Sequence, residues 1–295
     1  MSLRILQIPY DSGHRGRRMG AGPLHMVERG LLDRLRHLDA DVVLVPIETS
    51  SPFPTEIGTA FDLHRTTARV VSAAVRANAM PLILSGNCNS SLGTVAGLRQ
   101  AAPGEPVGVL WFDGHGDCNT PETFTGDFLD AMGLSTLTGR CWQALAATVP
   151  GFTPVADEEV ILVGGHGMDE GARSVLEDSR IANVTPATIR ARGSRRALEP
   201  ALAEFGNRGI SRLYVHFDVD VLDSAYAPGN GFAPTGGLLP EEILDTLAAV
   251  AGEFTIAAAA VASYDPSFDQ EDRVLSAACA FLETAAAAQR RPASD

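Results

Sequence analysis

A three-layer αβα fold with a mostly parallel sheet is predicted for this chain. Short apolar runs alternate with longer amphipathic stretches along its 295 residues. Several of the runs are continuously apolar, as expected of strands covered on both faces. No linker and no repeat at a solenoid period divides the sequence. A single domain spanning 1–295 is therefore expected.

The first strand is expected over residues 4–9. Gly22-Pro23 then opens a helix, with the proline in the first turn, where a missing N–H costs nothing. Asp41–Pro46 reads as the second strand and residues 62–77 as an amphipathic helix. Met80–Ser85 is the third strand, followed by a helix over 90–100 and a fourth strand at Val107–Asp113. A helix over 131–147 precedes a strand at 160–163. A helix over 195–205 leads to a strand at 213–218. Pro240–Ala251, a strand at 256–263 and Arg273–Ala288 complete the alternation. Alternation of this kind places crossover helices on both faces of a parallel sheet. The end is Ala-rich and then polar from residue 290.

Composition excludes several classes. At 45% hydrophobic and 20% charged, the chain is ordinary for a globular protein. No apolar stretch is long enough to span a bilayer, and the first residues lack the charged, apolar, small-residue pattern of a secretory segment, so none is expected. A net charge of −13 without a basic face argues against nucleic-acid binding. Cys88, Cys118, Cys141 and Cys279 are too scattered for a disulfide framework and form no C-x-x-C pair, so a cytoplasmic location is expected. The glycine-rich loops at 13–22, 164–171 and 228–237 match no nucleotide-binding pattern.

The chemistry is concentrated at the ends of two apolar runs. Val107–Asp113 continues into Gly114-His-Gly-Asp117, and the run ending at Phe217 continues into Asp218-Val-Asp220. Residues two apart in a strand share a face. Asp113, His115 and Asp117 should therefore converge, as should Asp218 and Asp220. Charges at buried strand ends are costly unless compensated, and clustered carboxylates repel. One or two divalent cations remove that cost and make a catalytic centre. The bland reading, capping or ion-paired aspartates, would serve for one such pair but is strained by two. Carboxylates with one imidazole and little sulfur suit Mn2+ or another first-row metal. In parallel sheets ligands bind outside the carboxyl ends of strands, which is where both clusters fall.

These residues resemble the arginase/agmatinase/formiminoglutamase (ureohydrolase) family. Asp113-Gly-His-Gly-Asp-Cys-Asn-Thr-Pro121 is similar to its D-A-H-x-D-x-N-T-P segment, and Phe217-Asp-Val-Asp-Val-Leu-Asp223 to F-D-x-D-x-x-D-P. Pro228 followed by Gly236-Gly237-Leu238, the Gly22-Pro23 turn, and the segment Gly86-Asn-Cys-Asn-Ser-Ser-Leu-Gly93, which falls where the family has its G-G-D-H-S segment, extend the match in order from about residue 19 to 265. The resemblance implies an arginase-like sheet of about eight strands and a small-molecule substrate. It also implies a homo-oligomer, a trimer or hexamer. It further implies two manganese ions bridged by Asp113 and Asp218, one completed by His115 and Asp220, the other served by Asp117. A hydroxide between the ions would attack an amidine-type carbon, with Asp117 orienting and deprotonating it.

Cys88 stands where the family's first histidine ligand lies. A thiolate is softer and favours Zn2+ or Fe2+ at that side, unless Cys88 is simply a buried, inert thiol. Ser263 replaces the family's guanidinium-binding glutamate, Phe232 a threonine, and Asp130 the proton-shuttling histidine. Asn119, Thr120 and Asp169 keep residues that hold the substrate's tail. Asp130, Asp169 and Asp265 are carboxylates that could replace the lost glutamate, although Asp265 before Pro266 also reads as a turn residue. His166 in the 164–171 loop matches no family residue. The expected activity is metal-dependent hydrolysis of a linear C–N bond in a guanidino, hydroxyguanidino or formimino compound. A catalytically degenerate binding protein and a single-metal deacylase on the same fold are the alternatives.

Overall fold

The structure is a computed structural model that describes residues 1–50, 55–124, 126 and 128–289. The polar end, 290–295, lies outside them. Eight strands form one sheet: β1 (Ser2–Ile8), β2 (Asp41–Pro46), β3 (Met80–Ser85), β4 (Val107–Asp113), β5 (Val160–Gly164), β6 (Ala182–Val184), β7 (Arg212–Asp218) and β8 (Thr255–Ala262). Their order is β2-β1-β3-β8-β7-β4-β5-β6, and every pairing is parallel. All carboxyl ends therefore lie along one edge.

Strand alternation sorts the core into two layers. Leu3, Ile5, Leu82, Phe112 and Phe217 face one side, and Leu6, Ile83, Trp111 and Tyr214 the other. The first layer is covered by α10 (Pro240–Ala251) and α11 (Arg273–Ala288) through residues such as Leu247 and Phe281. The second is covered by α3 (Glu56–Arg76) and α4 (Ser91–Ala101) through Phe61, Val71, Leu92 and Val95. Gly97 lets α4 lie almost backbone to backbone on α3: a Cβ there would sit 2.6 Å from the Ala68 carbonyl oxygen. That contact sets the position of the turn preceding α4, which carries Cys88.

Seven expected strands are present within two residues of their predicted ends. The eighth, β6, has only three residues and sits at the sheet edge, too short to show a period. The helix expected over 131–147 is broken. It becomes a 3-10 turn (Leu129–Met132), α5 (Gly133–Leu137) and α6 (Gln143–Ala146). Gly139 at φ 79° and Trp142 at φ 52° take left-handed conformations that no helix accommodates. The helix expected from residue 62 begins at Glu56, because the Thr55 hydroxyl caps the Gly58 N–H at 3.2 Å. Helices α1 (Gly22–Glu28), α2 (Leu31–Arg36), α7 (Glu170–Glu177), α8 (Pro186–Arg192) and α9 (Ser194–Asn207) complete the flanking layers. Among the described residues, no helix is long and apolar enough to cross a membrane.

Candidate metal centre and active site

The sheet order β3-β8-β7-β4 juxtaposes four chain segments that are distant in sequence. Cys88 follows β3, Ser263 follows β8, Asp218 ends β7 and Asp113 ends β4. The Cys88 thiol donates to Asp218 Oδ2 at 2.8 Å and lies 3.2 Å from Ser263 Oγ. Ligand atoms of Cys88, Asp113 and Asp218 lie within 4.8 Å of one another, and so do those of Asp113, His115 and Asp220. Asp113 belongs to both groups.

Strand alternation does not bring His115, Asp117 and Asp220 to this place. β4 stops at Asp113 and the chain folds back. Asp113 Oδ1 accepts the His115 and Gly116 N–H groups at 2.5 and 2.6 Å. Gly116 at φ 83° and Asp117 at φ 47° then turn the Asp117 side chain inward. β7 likewise ends at Asp218, whose Oδ1 accepts the Asp220 N–H at 2.8 Å in a 3-10 turn, Val219–Val221. Each leading aspartate organises its own turn through its side chain, as Asp does in Asx-type turns. Asp113 is held from the other side by Trp111, whose indole N–H donates to Oδ2 at 2.8 Å and whose ring stacks on His216 at 3.9 Å.

The electrostatics are those of a buried cluster of carboxylates. Burial, reinforced by the Asp220 charge, pushes Asp113 up to about 6. Asp117 and Asp218 are pushed well above the carboxylate range by burial and by their aspartate neighbours. Burial and then Asp218, Asp130, Asp117 and Asp113 push the Cys88 thiol up as well. Burial opposes a charge on His115, yet its 3.1 Å hydrogen bond to Asp220 and the nearby carboxylates outweigh it and lift the imidazole to about 9. Asp117 Oδ2 is buried with no hydrogen-bond partner among the described residues. A buried carboxylate oxygen left so is costly, and a cation beside Asp113 and Asp218 would satisfy it. The donor set, mainly carboxylate with one imidazole and one thiol, fits divalent first-row metals.

A cavity of about 550 Å³ opens onto this cluster. His115, Asp117, Asp218, Asp220 and Ser263 line it, while Asp113 and Cys88 are fully buried behind them. Asn119, Asp130, Asp169 and Phe232 also line it. Thr120 does not: its N–H donates to Thr123 Oγ1 at 2.9 Å and its hydroxyl accepts from Glu122 N at 3.3 Å, within a local turn. Asp169 caps α7 through the Ala172 N–H at 2.8 Å and accepts from Asn119 Nδ2 at 2.9 Å. Ser263 is held at φ 62°, with its carbonyl accepting from Asn230 Nδ2 at 3.0 Å. Phe232, 56% exposed, stacks on Phe128 at 5.7 Å and walls the mouth rather than the floor. Asp265 turns to Ser267, from which its Oδ1 accepts two hydrogen bonds, and does not line the cavity. His166 is half-buried, its ring nitrogens have no partner among the described residues, and burial lowers its pKa.

Sequence reasoning missed the remaining walls. Arg18, ion-paired to buried Asp11 at 2.9 Å, and His14 come from the first glycine-rich loop. Phe124 and Phe128 come from the loop after Thr120. The glycines marked the first loop, but nothing local showed which of its side chains would face the cavity.

Comparison with known proteins bears on the family and the fold. The sequence model described as Arginase family matches residues 1–287. An arginase of Bacillus caldovelox is 29% identical over 298 residues, covering 95% of this chain and 96% of that protein. An arginase of Staphylococcus aureus (strain MSSA476) is 28% identical over 248 residues, covering 80% and 81%. The native structure of the Bacillus caldovelox arginase at pH 5.6 superposes with a TM-score of 0.86 at 26% identity, covering 96% of this chain and 97% of that one. A formimidoylglutamase structure from Bacillus subtilis shares the fold, with a TM-score of 0.75 at 18% identity and coverage of 98% and 87%.

Proposed function

The chain belongs to the arginase family, and on that premise we propose that it is a metal-dependent hydrolase of a linear C–N bond in a small guanidino, hydroxyguanidino or formimino compound. The observation that carries this reading is the pair of ligand groups sharing Asp113 at the base of one cavity. Cys88, Asp113 and Asp218 would hold one ion, and Asp113, His115 and Asp220 the other; by resemblance to the family, Asp117, whose buried Oδ2 has no partner among the described residues, would join the first. Divalent ions bound there supply Lewis acidity and make water nucleophilic near neutral pH. Manganese suits the oxygen-rich His115 side, and zinc or iron(II) suits the Cys88 side.

The chain's own groups bind, orient and move protons. Asp117 lines the cavity, and the carboxylate oxygen that it does not commit to the ion would accept a proton from the attacking water. Ser263 offers a hydroxyl where an ion-pairing carboxylate would bind a guanidinium. A head group that is less basic, or that carries its own hydroxyl, loses less from that exchange. Asn119 and Asp169 already hold each other and so present a fixed polar wall to the substrate's tail. Resemblance to the family supports a homo-oligomer, and four scattered cysteines without a C-x-x-C pair support a cytoplasmic location.

Elemental analysis of the purified protein, combined with a screen for released urea and ammonia, tests the reading. The screen covers arginine, agmatine, guanidinobutyrate, formiminoglutamate and hydroxyarginine. Two ions per chain and turnover of at least one compound are expected. Full metal content without turnover of any would favour a degenerate binding protein, and a single ion would favour deacylase chemistry.

A further inference from the structure

Asp130 lines the cavity, but its carboxylate is directed at the turn that carries Cys88. Oδ2 accepts from Asn87 Nδ2 at 3.0 Å and from the Cys88 N–H at 2.9 Å, and Oδ1 accepts from the Asn89 N–H at 2.8 Å. The three donors belong to three consecutive residues. Two are the opening N–H groups of the helical run that begins at Cys88 and continues as α4. Such groups have no partner within their own helix and favour an anion. Asp130 supplies both needs from 42 residues away.

Asp130 is itself anchored to the other side of the candidate centre. Its 3-10 turn is tied to the Asp117 loop by the Asn119 N–H, which donates to the Ala131 carbonyl at 3.1 Å. The Leu134 and Ser135 N–H groups both donate to the Asp117 carbonyl, at 3.1 and 3.2 Å. One short segment therefore grips the Cys88 backbone through a side chain and the Asp117 backbone through its amides. A proton shuttle needs an oxygen directed at the reacting atoms. Here Asp130 is only 4% exposed and its oxygens already accept three hydrogen bonds.

We infer that Asp130 is a positioning residue that sets the Cys88 sulfur and the Asp117 carboxylate in register on the same metal ion, rather than a group that exchanges protons with substrate. This rests on the proposed ligation by Cys88, and the test separates the two claims. The metal-free full-length chain is titrated with Co2+, following the thiolate-to-cobalt charge-transfer absorption in the near ultraviolet and the number of ions bound. Wild type should show the band and Cys88→Ser should lack it. A wild-type protein that binds cobalt without the band removes Cys88 from the ligand set and overturns the inference at its premise. Asp130→Asn places an amide N–H group against a backbone N–H of the turn. It should weaken the thiolate-bound ion about tenfold or more and leave the second ion unchanged, as loss of a ligand's supporting contact does. If Asp130→Asn keeps the full band and both affinities while turnover falls, Asp130 acts on a proton and the inference is wrong. Should that variant fail to fold, Asn87→Ala removes one donor from the same carboxylate. It should weaken the thiolate-bound ion by about threefold, less than the roughly tenfold or greater loss typical of a whole supporting contact, and an unchanged affinity there overturns the inference equally.

Discussion

Replacing Ser263 by glutamate should convert a site poor for arginine into one that accepts it. Ser263 is 3% exposed, lines the cavity and lies beside Cys88. The carboxylates that could take the place of a glutamate are committed elsewhere: Asp130 to the Cys88 turn, Asp169 to α7 and Asn119, and Asp265 to Ser267. A guanidinium bound at Ser263 therefore meets a hydroxyl in place of an anion. A charge-assisted pair in such a site contributes about 1.5–3 kcal/mol. At about 1.4 kcal/mol per factor of ten, kcat/KM for arginine should rise roughly ten- to a hundredfold. The backbone conformation at φ 62° costs a glutamate about as much as a serine, so the comparison isolates the side chain. Urea release from arginine and from hydroxyarginine should be measured on preparations of equal metal content, with the ratio shifting toward arginine. An unchanged or reduced kcat/KM for arginine at full metal content would refute the argument, as would a wild type already efficient with arginine.

Cys88→His should shift the preference of its ion from zinc toward manganese, because imidazole is the harder ligand; competition dialysis followed by elemental analysis checks this, and an unchanged preference makes Cys88 a bystander. Metal loading at pH 7 should release at least two protons, since His115 sits at about 9 and Cys88, Asp117 and Asp218 are all raised. Titration calorimetry in buffers of different ionisation enthalpy reads that number, and heats independent of buffer would contradict the charge picture. Acid should destabilise the fold through His64, which burial holds at about 3 against an ordinary value of 6.5. The unfolded chain then binds a proton there that the folded one does not, so the contribution of His64 is complete above pH 6.5 and falls by about 1.4 kcal/mol per unit below it, or ~2 kcal/mol by pH 5. Urea unfolding of wild type and His64→Leu at pH 7 and pH 5 measures this, and equal losses in both would remove His64 as the cause.

The strands and the ligand types were legible in the sequence because each is a local property. A strand covered on both faces must be apolar throughout, so β3, β4 and β7 announce themselves, and an aspartate at the end of such a run is conspicuous. The break at Gly139 and Trp142 was not legible, because amphipathic composition continues through residues whose backbone leaves the helix. His115, Asp117 and Asp220 line one cavity for a reason other than the one expected: side chains of Asp113 and Asp218 fold the turns, where alternation was expected to do so. Resemblance marked Asp130 as a proton carrier, and only its three hydrogen bonds tie it to the Cys88 turn. The meeting of Cys88, Ser263, Asp218 and Asp113 depends on the strand order β3-β8-β7-β4. That order comes from packing eight strands and their crossovers into one sheet, and each apolar run is equally compatible with other neighbours. Residue chemistry thus decided what the site could bind, and long-range packing decided which residues share it.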